Sequence, residues 1–304
     1  MIPTAPLHHA RRRRRDAGFS LVEVFIAMAL TLLAMASVAT LFGMFGRTVS
    51  QSQAAVDLNA RIRTAASQLR QDLHGVTVTT RPWVRPEANA GYFEIVDGSP
   101  TTPDRLMATT TALGKPFVGP LQVTTGTTVI GFESPFAEVV WFCRPTSPAE
   151  TFAGQTLYNL YRRQLFVSAS PAAGLFANGG SQLINRSRTD LSCGNLASKM
   201  IPNSLADLSR PANRIWAVSG ANPTLSLARV GEDIILGNVI TFDIKALKAG
   251  EAAYTDQSFN TDYQDGVAPT AGAPLLGVEV RIRCVDPSSK QVRQITVVHT
   301  FEGL

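Results

Sequence analysis

The residue with the most demanding chemical setting in this sequence is Glu23. It is the one charged side chain between Phe19 and Phe45. A carboxylate inside an apolar segment of membrane length costs about 2.5 kcal/mol or more, so its presence indicates a function. It needs a cationic partner, yet the segment contains no Lys, Arg or His. A free α-amino group, created by cleavage between Gly18 and Phe19, would supply one.

Histidine, the side chain most often used in acid–base catalysis, is scarce. His8 and His9 lie in the first 18 residues, and His74 and His299 are far apart in the sequence. Neither of the latter belongs to a Gly-x-Ser-x-Gly or a His-Glu-x-x-His signature. We therefore expect structural or solvated roles for both, no catalytic residue, no cofactor and no enzymatic activity.

The three cysteines, Cys143, Cys193 and Cys284, lack the Cys-x-x-Cys spacing of a redox site. In an oxidising compartment a disulfide is plausible, and three cysteines allow three single pairings. We favour Cys143–Cys193, which would fix the long segment 168–213 to a strand.

Acidic and amide side chains cluster in one C-terminal loop. Oxygen ligands of this kind suit Ca²⁺, but their spacing does not match an EF-hand. We favour a polar loop between two strands and no metal site, with calcium as the alternative; the candidate ligands are Glu251, Asp256, Asn260, Asp262 and Asp265.

The positive charge of the chain is concentrated near its start. The formal net charge is +5, but Arg11 to Arg15 provide five of the 28 basic residues. Residues 19–304 carry only +1. A basic run can bind nucleic acid, but this one directly precedes an apolar segment, so we expect no nucleic-acid partner.

The apolar segment from Phe19 to Phe45 has 27 residues, and about 20 are enough to cross a bilayer as a helix. Arginines in front of such a segment stay cytoplasmic, so the rest of the chain would lie across the membrane. A cleaved signal peptide, ending near Ala34 to Ala39, and an uncleaved anchor are the alternatives. Signal peptides have shorter apolar regions, about 7 to 15 residues, and neither alternative explains Glu23.

The residues Gly18-Phe19-Ser20-Leu21-Val22-Glu23-Val24 resemble the processing site of type IV prepilins and type II secretion pseudopilins. The resemblance implies that a prepilin peptidase cuts after Gly18 and N-methylates Phe19. It also implies that Glu23 pairs with the N-terminal amine of a neighbouring subunit. Residues 1–18 would be a cytoplasmic leader, and the mature chain an inner-membrane protein that later enters a filament.

The remaining sequence predicts an α+β fold, with a long N-terminal helix packed on an antiparallel β-rich head. Between Phe19 and Arg81 there is no proline, and a helix to His74 is expected, with 19–46 in the membrane and 47–75 amphipathic. Its apolar stripe includes Leu58, Ile62 and Leu69, while Asp72 lies on another face of the helix. Residues 76–304 form the expected periplasmic head. Its predicted strands are Tyr92–Val96, Leu121–Thr124, Glu138–Phe142, Leu157–Phe166, Ile215–Ser219, Leu225–Val230, Val239–Ala246, Gly277–Val285 and Gln291–Phe301.

Two parts of the head are similar to PilW-type minor pilins and the J-type minor pseudopilin. They are the strand pair 138–142 and 157–163, and the C-terminal pattern 238–244 with 274–280. This resemblance implies a minor subunit, at a filament tip or in an initiation complex. The choice between a type IV pilus and a type II secretion pseudopilus stays open. The alternative of another class is an anchored or secreted binding protein or enzyme whose N-terminus only resembles the processing motif.

Overall fold

The architecture is α+β, as predicted, with a long N-terminal helix and an antiparallel sheet. The structure, a computed structural model, describes residues 18, 20–99, 102–122, 129–169, 190–196, 199–214, 232–263 and 272–301. The chain divides into two units, Met1–Gln53 and Ala54–Leu304.

Helix α1 spans Leu21–His74 and starts two residues later than predicted. Ser20 and Glu23 form the reciprocal contacts of a capping box, which satisfy two backbone N–H groups at the helix start. At the other end, a Cβ on Gly75 would lie 2.2 Å from the Thr110 hydroxyl and 2.6 Å from the Thr111 carbonyl oxygen. Glycine is needed there because the chain passes close to a strand.

The described strands are β1 Phe93–Val96, β2 Arg105–Thr111, β3 Phe117–Gln122, β4 Val129–Ser134, β5 Phe136–Pro145, β6 Thr151–Phe152, β7 Gln155–Thr156, β8 Tyr158–Val167, β9 Cys193–Leu196, β10 Lys199–Pro202, β11 Glu232–Lys248, β12 Thr255–Asp256, β13 Phe259–Asn260, β14 Leu275–Asp286 and β15 Gln291–Thr300. Nine of them form one sheet in the order β13-β1-β2-β5-β8-β11-β14-β15, with β12 beside β11. Their pairings are antiparallel.

The predicted C-terminal hairpin is confirmed, since β14 and β15 pair over ten residues. Predicted strands overlap β1, β3, β5, β8 and β11, which extend further than expected or are shifted by a few residues. Strands β2 and β4 were missed, as were the two-residue strands β6, β7, β12 and β13. The predictions at 215–219, at 225–230 and at 123–124 lie outside the described residues. The segment 168–213 contains β9, β10 and a short helix α2, Leu205–Leu208.

The main core lies between one face of the sheet and the part of α1 that belongs to the second unit. The predicted stripe is buried there, from Leu58 and Ile62 to Leu69 and Leu73. Val278, Val280 and Ile282 are fully buried on the sheet side. Burial of a leucine or isoleucine side chain stabilises a fold by about 1.5–3 kcal/mol, so this stripe fixes the helix on the sheet.

The opposite face of the sheet is covered by the 190–214 region. Leu205 and Leu208 of α2 pack against Tyr92, Val140 and Phe142. The central strands are therefore buried on both faces. This segment is a structural cover over the sheet rather than a simple surface connection.

Candidate functional site

The first turn of α1 contains the residues to which the sequence assigned a function. The Ser20 N–H donates to a Glu23 carboxylate oxygen at 3.4 Å, and the Glu23 N–H donates to the Ser20 hydroxyl at 3.2 Å. Both residues are exposed. The 3.4 Å bond is longer than the usual 2.7–3.2 Å, so the Glu23 carboxylate is weakly held within its own chain.

Gly18, the residue before the predicted cleavage position, has open space around it. A Cβ on Gly18 would meet no atom within 4 Å. Packing within the described part of the chain thus gives no reason for a glycine here. Phe19 lies outside the described residues.

The following segment has the properties of a membrane span. An 18-residue window of α1 reaches a mean hydropathy of 2.3, and none of it is buried within the protein. The hydroxyls of Thr31, Ser37 and Thr40 donate to backbone carbonyls four residues earlier. These bonds satisfy polar groups that would be costly in a hydrocarbon environment.

Comparison with protein families identifies this same region. The family model for the prokaryotic N-terminal methylation motif matches residues 13–39. The chain carries a prepilin-type methylation motif. The motif supports a type IV pilin-like family, processing by a prepilin peptidase and assembly with pilin subunits, and together with the apolar helix it fits anchoring in the inner membrane. No curated protein and no solved structure matched the chain.

Asp72, which the sequence placed on a face of α1 other than the apolar stripe, is buried at the contact between α1 and the sheet. Its carboxylate accepts hydrogen bonds from the Arg162 guanidinium at 2.7 and 2.8 Å and from the Trp141 indole at 2.8 Å. Buried charges need such saturated partners. The cluster fixes the C-terminal part of α1 at one position on the sheet.

A second buried polar cluster lies on the opposite face, where Glu138 is fully buried. It accepts hydrogen bonds from the Tyr92 hydroxyl at 2.8 Å and from the Ser192 hydroxyl at 2.6 Å. Burial raises the pKa of Glu138, and these two bonds oppose the rise. Burial likewise raises the pKa of Tyr92, further helped by the charge of Glu138.

Further polar side chains extend this cluster. The Asn203 amide donates to the Ser192 hydroxyl at 3.0 Å, and the Arg214 guanidinium stacks 3.6 Å from the centre of the Tyr92 ring. Arg214 also bonds Glu94 and Asp262. Ser192 thus has a carboxylate neighbour but no imidazole among these described contacts, which does not make a nucleophilic serine site.

The predicted Cys143–Cys193 disulfide is not formed, and Cys143 is a free thiol. Cys143 pairs with Leu160 on β8, whereas Leu191, two residues before Cys193, bridges to Phe166. Leu160 and Phe166 are six residues apart on β8, which corresponds to about 20 Å along the strand. This separation is far beyond the roughly 7 Å between Cα atoms that a disulfide allows. Burial raises the pKa of Cys143, and that of Cys284 to about 11.

The candidate calcium ligands are not gathered at one point. Asp256 pairs with Lys245 at 3.1 Å, and Asp262 pairs with Arg214 at 2.7 Å. Glu251 accepts hydrogen bonds from the Gln257 amide, the shorter at 2.9 Å. Asp265 lies outside the described residues. Within the described part of the chain, no three His, Cys, Asp or Glu residues form a group suited to a metal.

The structure also brings together two residues that the sequence had left separate. His74, at the end of α1, and His299, in β15, have ring centroids 6.4 Å apart. With 224 residues between them, no sequence signal linked them.

Proposed function

We propose that the chain is a minor pilin or minor pseudopilin, a structural subunit and not an enzyme. A prepilin peptidase would cut between Gly18 and Phe19 and methylate the new terminus, and the mature subunit would then join a filament of related subunits. The match of residues 13–39 to the methylation motif is the observation that carries this proposal.

The proposed membrane arrangement follows from charge and hydropathy. Arg11 to Arg15 remain cytoplasmic by the positive-inside rule, and the apolar part of α1 is long enough to cross the inner membrane. The β-rich head is then periplasmic until the subunit enters a pilus or pseudopilus.

The first turn of α1 supplies the proposed assembly contact. Cleavage creates an α-amino group on Phe19, and Glu23 is the single acid of the apolar segment. The long bond from Ser20 leaves the Glu23 carboxylate free to accept the amine of a neighbouring subunit. In an apolar helix bundle an unpaired charge is costly, so such a pair would select one axial register between subunits.

The head supports a role in partner choice rather than catalysis. The two buried polar clusters around Asp72 and around Glu138 are internal and hydrogen-bonded. The similarity of 138–142 and 157–163 to PilW-type and J-type subunits favours a minor subunit, placed at a tip or in an initiation complex. The proposal covers both a type IV pilus and a type II secretion pseudopilus.

A substitution at Glu23 tests the assembly role. The Glu23→Ala subunit should insert in the membrane and be processed normally, but it should be missing from purified filaments or initiation complexes. Glu87→Ala, which removes an exposed acid from the head, is the matched control and should assemble as the wild type does. Incorporation of Glu23→Ala at the wild-type level would contradict the proposed pairing.

A further inference from the structure

A groove of about 510 Å³ lies at the C-terminal end of α1, beside the last residues of β15. Its walls are Leu73 and His74, the extended segment 76–80 and residues 299–301. The two histidine rings meet in this groove at an interplanar angle of 80°.

We propose that His74 and His299 together bind a divalent transition-metal ion of the class that prefers imidazole, namely Cu²⁺, Ni²⁺ or Zn²⁺. One ligand comes from the end of the helix and the other from the edge strand of the sheet. Water fills the other coordination positions, because the groove is open to solvent.

The geometry needs only a small adjustment. Metal–nitrogen bonds of about 2.0–2.1 Å place the centroids of two imidazoles on one tetrahedral ion about 5–6 Å apart. The observed separation is 6.4 Å. His74 is exposed, so a rotation of its side chain can shorten the distance between the two rings. His299 is half-buried and packs edge-on against Phe301, with ring centroids 4.8 Å apart, so it is the fixed partner.

The lining of the groove selects the kind of ion. The two imidazoles are the titratable groups among the described residues that line it, and the other polar side chains are the hydroxyls of Thr77, Thr79, Thr80 and Thr300. Ca²⁺ and Mg²⁺ require several carboxylate or carbonyl oxygens, which this lining does not offer. Neutral imidazoles instead bind Cu²⁺, Ni²⁺ and Zn²⁺, with Cu²⁺ bound most tightly in a given site.

The sequence makes this pairing specific. His74 and His299 are the only histidines in residues 19–304, and the fold brings their ring centroids to 6.4 Å of each other. A bound ion would connect the end of α1 to β15 in the folded state. Because the unfolded chain separates the two ligands, binding would stabilise the fold by mass action.

Copper and nickel titrations of the full-length chain in detergent test the site. His8→Gln and His9→Gln are introduced first, since the leader imidazoles would otherwise bind metal. Cu²⁺ should give an electron paramagnetic resonance spectrum with coupling to two imidazole nitrogens. Ni²⁺ at about a hundred times its dissociation constant should raise the melting temperature by roughly 5 °C or more.

Single substitutions then test whether both histidines bind the metal ion. His74→Gln or His299→Gln should each remove the two-imidazole spectrum and the Ni²⁺-dependent rise in melting temperature, while Thr79→Ala, in the same groove, should keep both. Melting without metal shows that each variant is folded. Loss of neither signal in His74→Gln, or absence of both signals in the chain with His74 and His299 intact, would overturn the proposal. This result does not depend on filament assembly, so it is separable from the function proposed above.

Discussion

Asp72 and Arg162, separated by 89 residues in the sequence, form a two-point ion pair in the core of the head. The Arg162 Nε and one terminal nitrogen donate to the two carboxylate oxygens at 2.7 and 2.8 Å. The side chains are only 8% and 10% exposed. This pair joins α1 to the centre of the sheet. The apolar stripe alone would allow α1 to slide along its axis over the sheet, and the ion pair fixes its position.

Removing one member of this pair should destabilise the head strongly. Arg162→Ala leaves the Asp72 carboxylate buried without its cation, and we expect a loss of about 3–5 kcal/mol in the free energy of unfolding. Lys245→Ala, which breaks the more exposed Lys245–Asp256 pair, should cost at most about 1 kcal/mol. Denaturant unfolding of the full chain in detergent measures both, and equal losses would contradict the role assigned to Asp72–Arg162.

Gly75→Ala should also destabilise the protein, because its Cβ would overlap the Thr110 hydroxyl and the Thr111 carbonyl. Overpacking of this kind costs about 1–3 kcal/mol. Gly131→Ala is the matched control, since a Cβ there meets nothing within 4 Å. Thermal unfolding should show a lowered melting temperature for the first variant alone. An unchanged melting temperature for Gly75→Ala would mean that the end of α1 does not approach β2 so closely.

Asp104 should make the stability of the head depend on pH. Burial raises its pKa to about 6, against opposing hydrogen bonds from the N–H groups of Gly98 and Ile244. Since the folded pKa is above the unfolded value, the protonated form is favoured in the fold. The stability this provides is present below about pH 4 and is lost as the pH rises to about 6.

Measuring Asp104→Asn beside the wild type isolates this effect. As the pH rises from about 4 to about 6, the difference in unfolding free energy should move in favour of the variant. Asp286→Asn should change in the opposite direction and at lower pH, because hydrogen bonds from Ser289 and Ser288 lower the pKa of Asp286, so the wild-type advantage is lost only as the pH falls below about 4. A pH-independent difference for Asp104→Asn would contradict the raised pKa.

Long periodic elements were predictable from the sequence. The apolar stripe of α1 and the alternation of β14 and β15 are local patterns, so each can be read without knowing its partner. Strand β2, Arg105–Thr111, was missed because its five central residues are all buried. A strand covered on both faces has no alternation to detect.

The candidate site was predictable only where its chemistry is contained in one short segment. Gly18, Phe19 and Glu23 lie within six residues and precede an apolar run, so their spacing alone is informative. Asp72 was assigned to a face other than the apolar stripe, because an amphipathic helix usually packs on its core through apolar residues. Its partner, and the partner of His74, lie in strands far along the chain, and only the folded sheet brings them together.

The central claim is that the N-terminus of this chain is processed as a prepilin, and mass spectrometry of the mature terminus from the membrane fraction tests it most directly. The account predicts that the chain begins at Phe19 and carries an N-methyl group. A Gly18→Leu variant should keep its leader and serve as the unprocessed standard. A wild-type chain that begins at Met1, or one cut near Ala36 to Ala39, would contradict the prepilin interpretation.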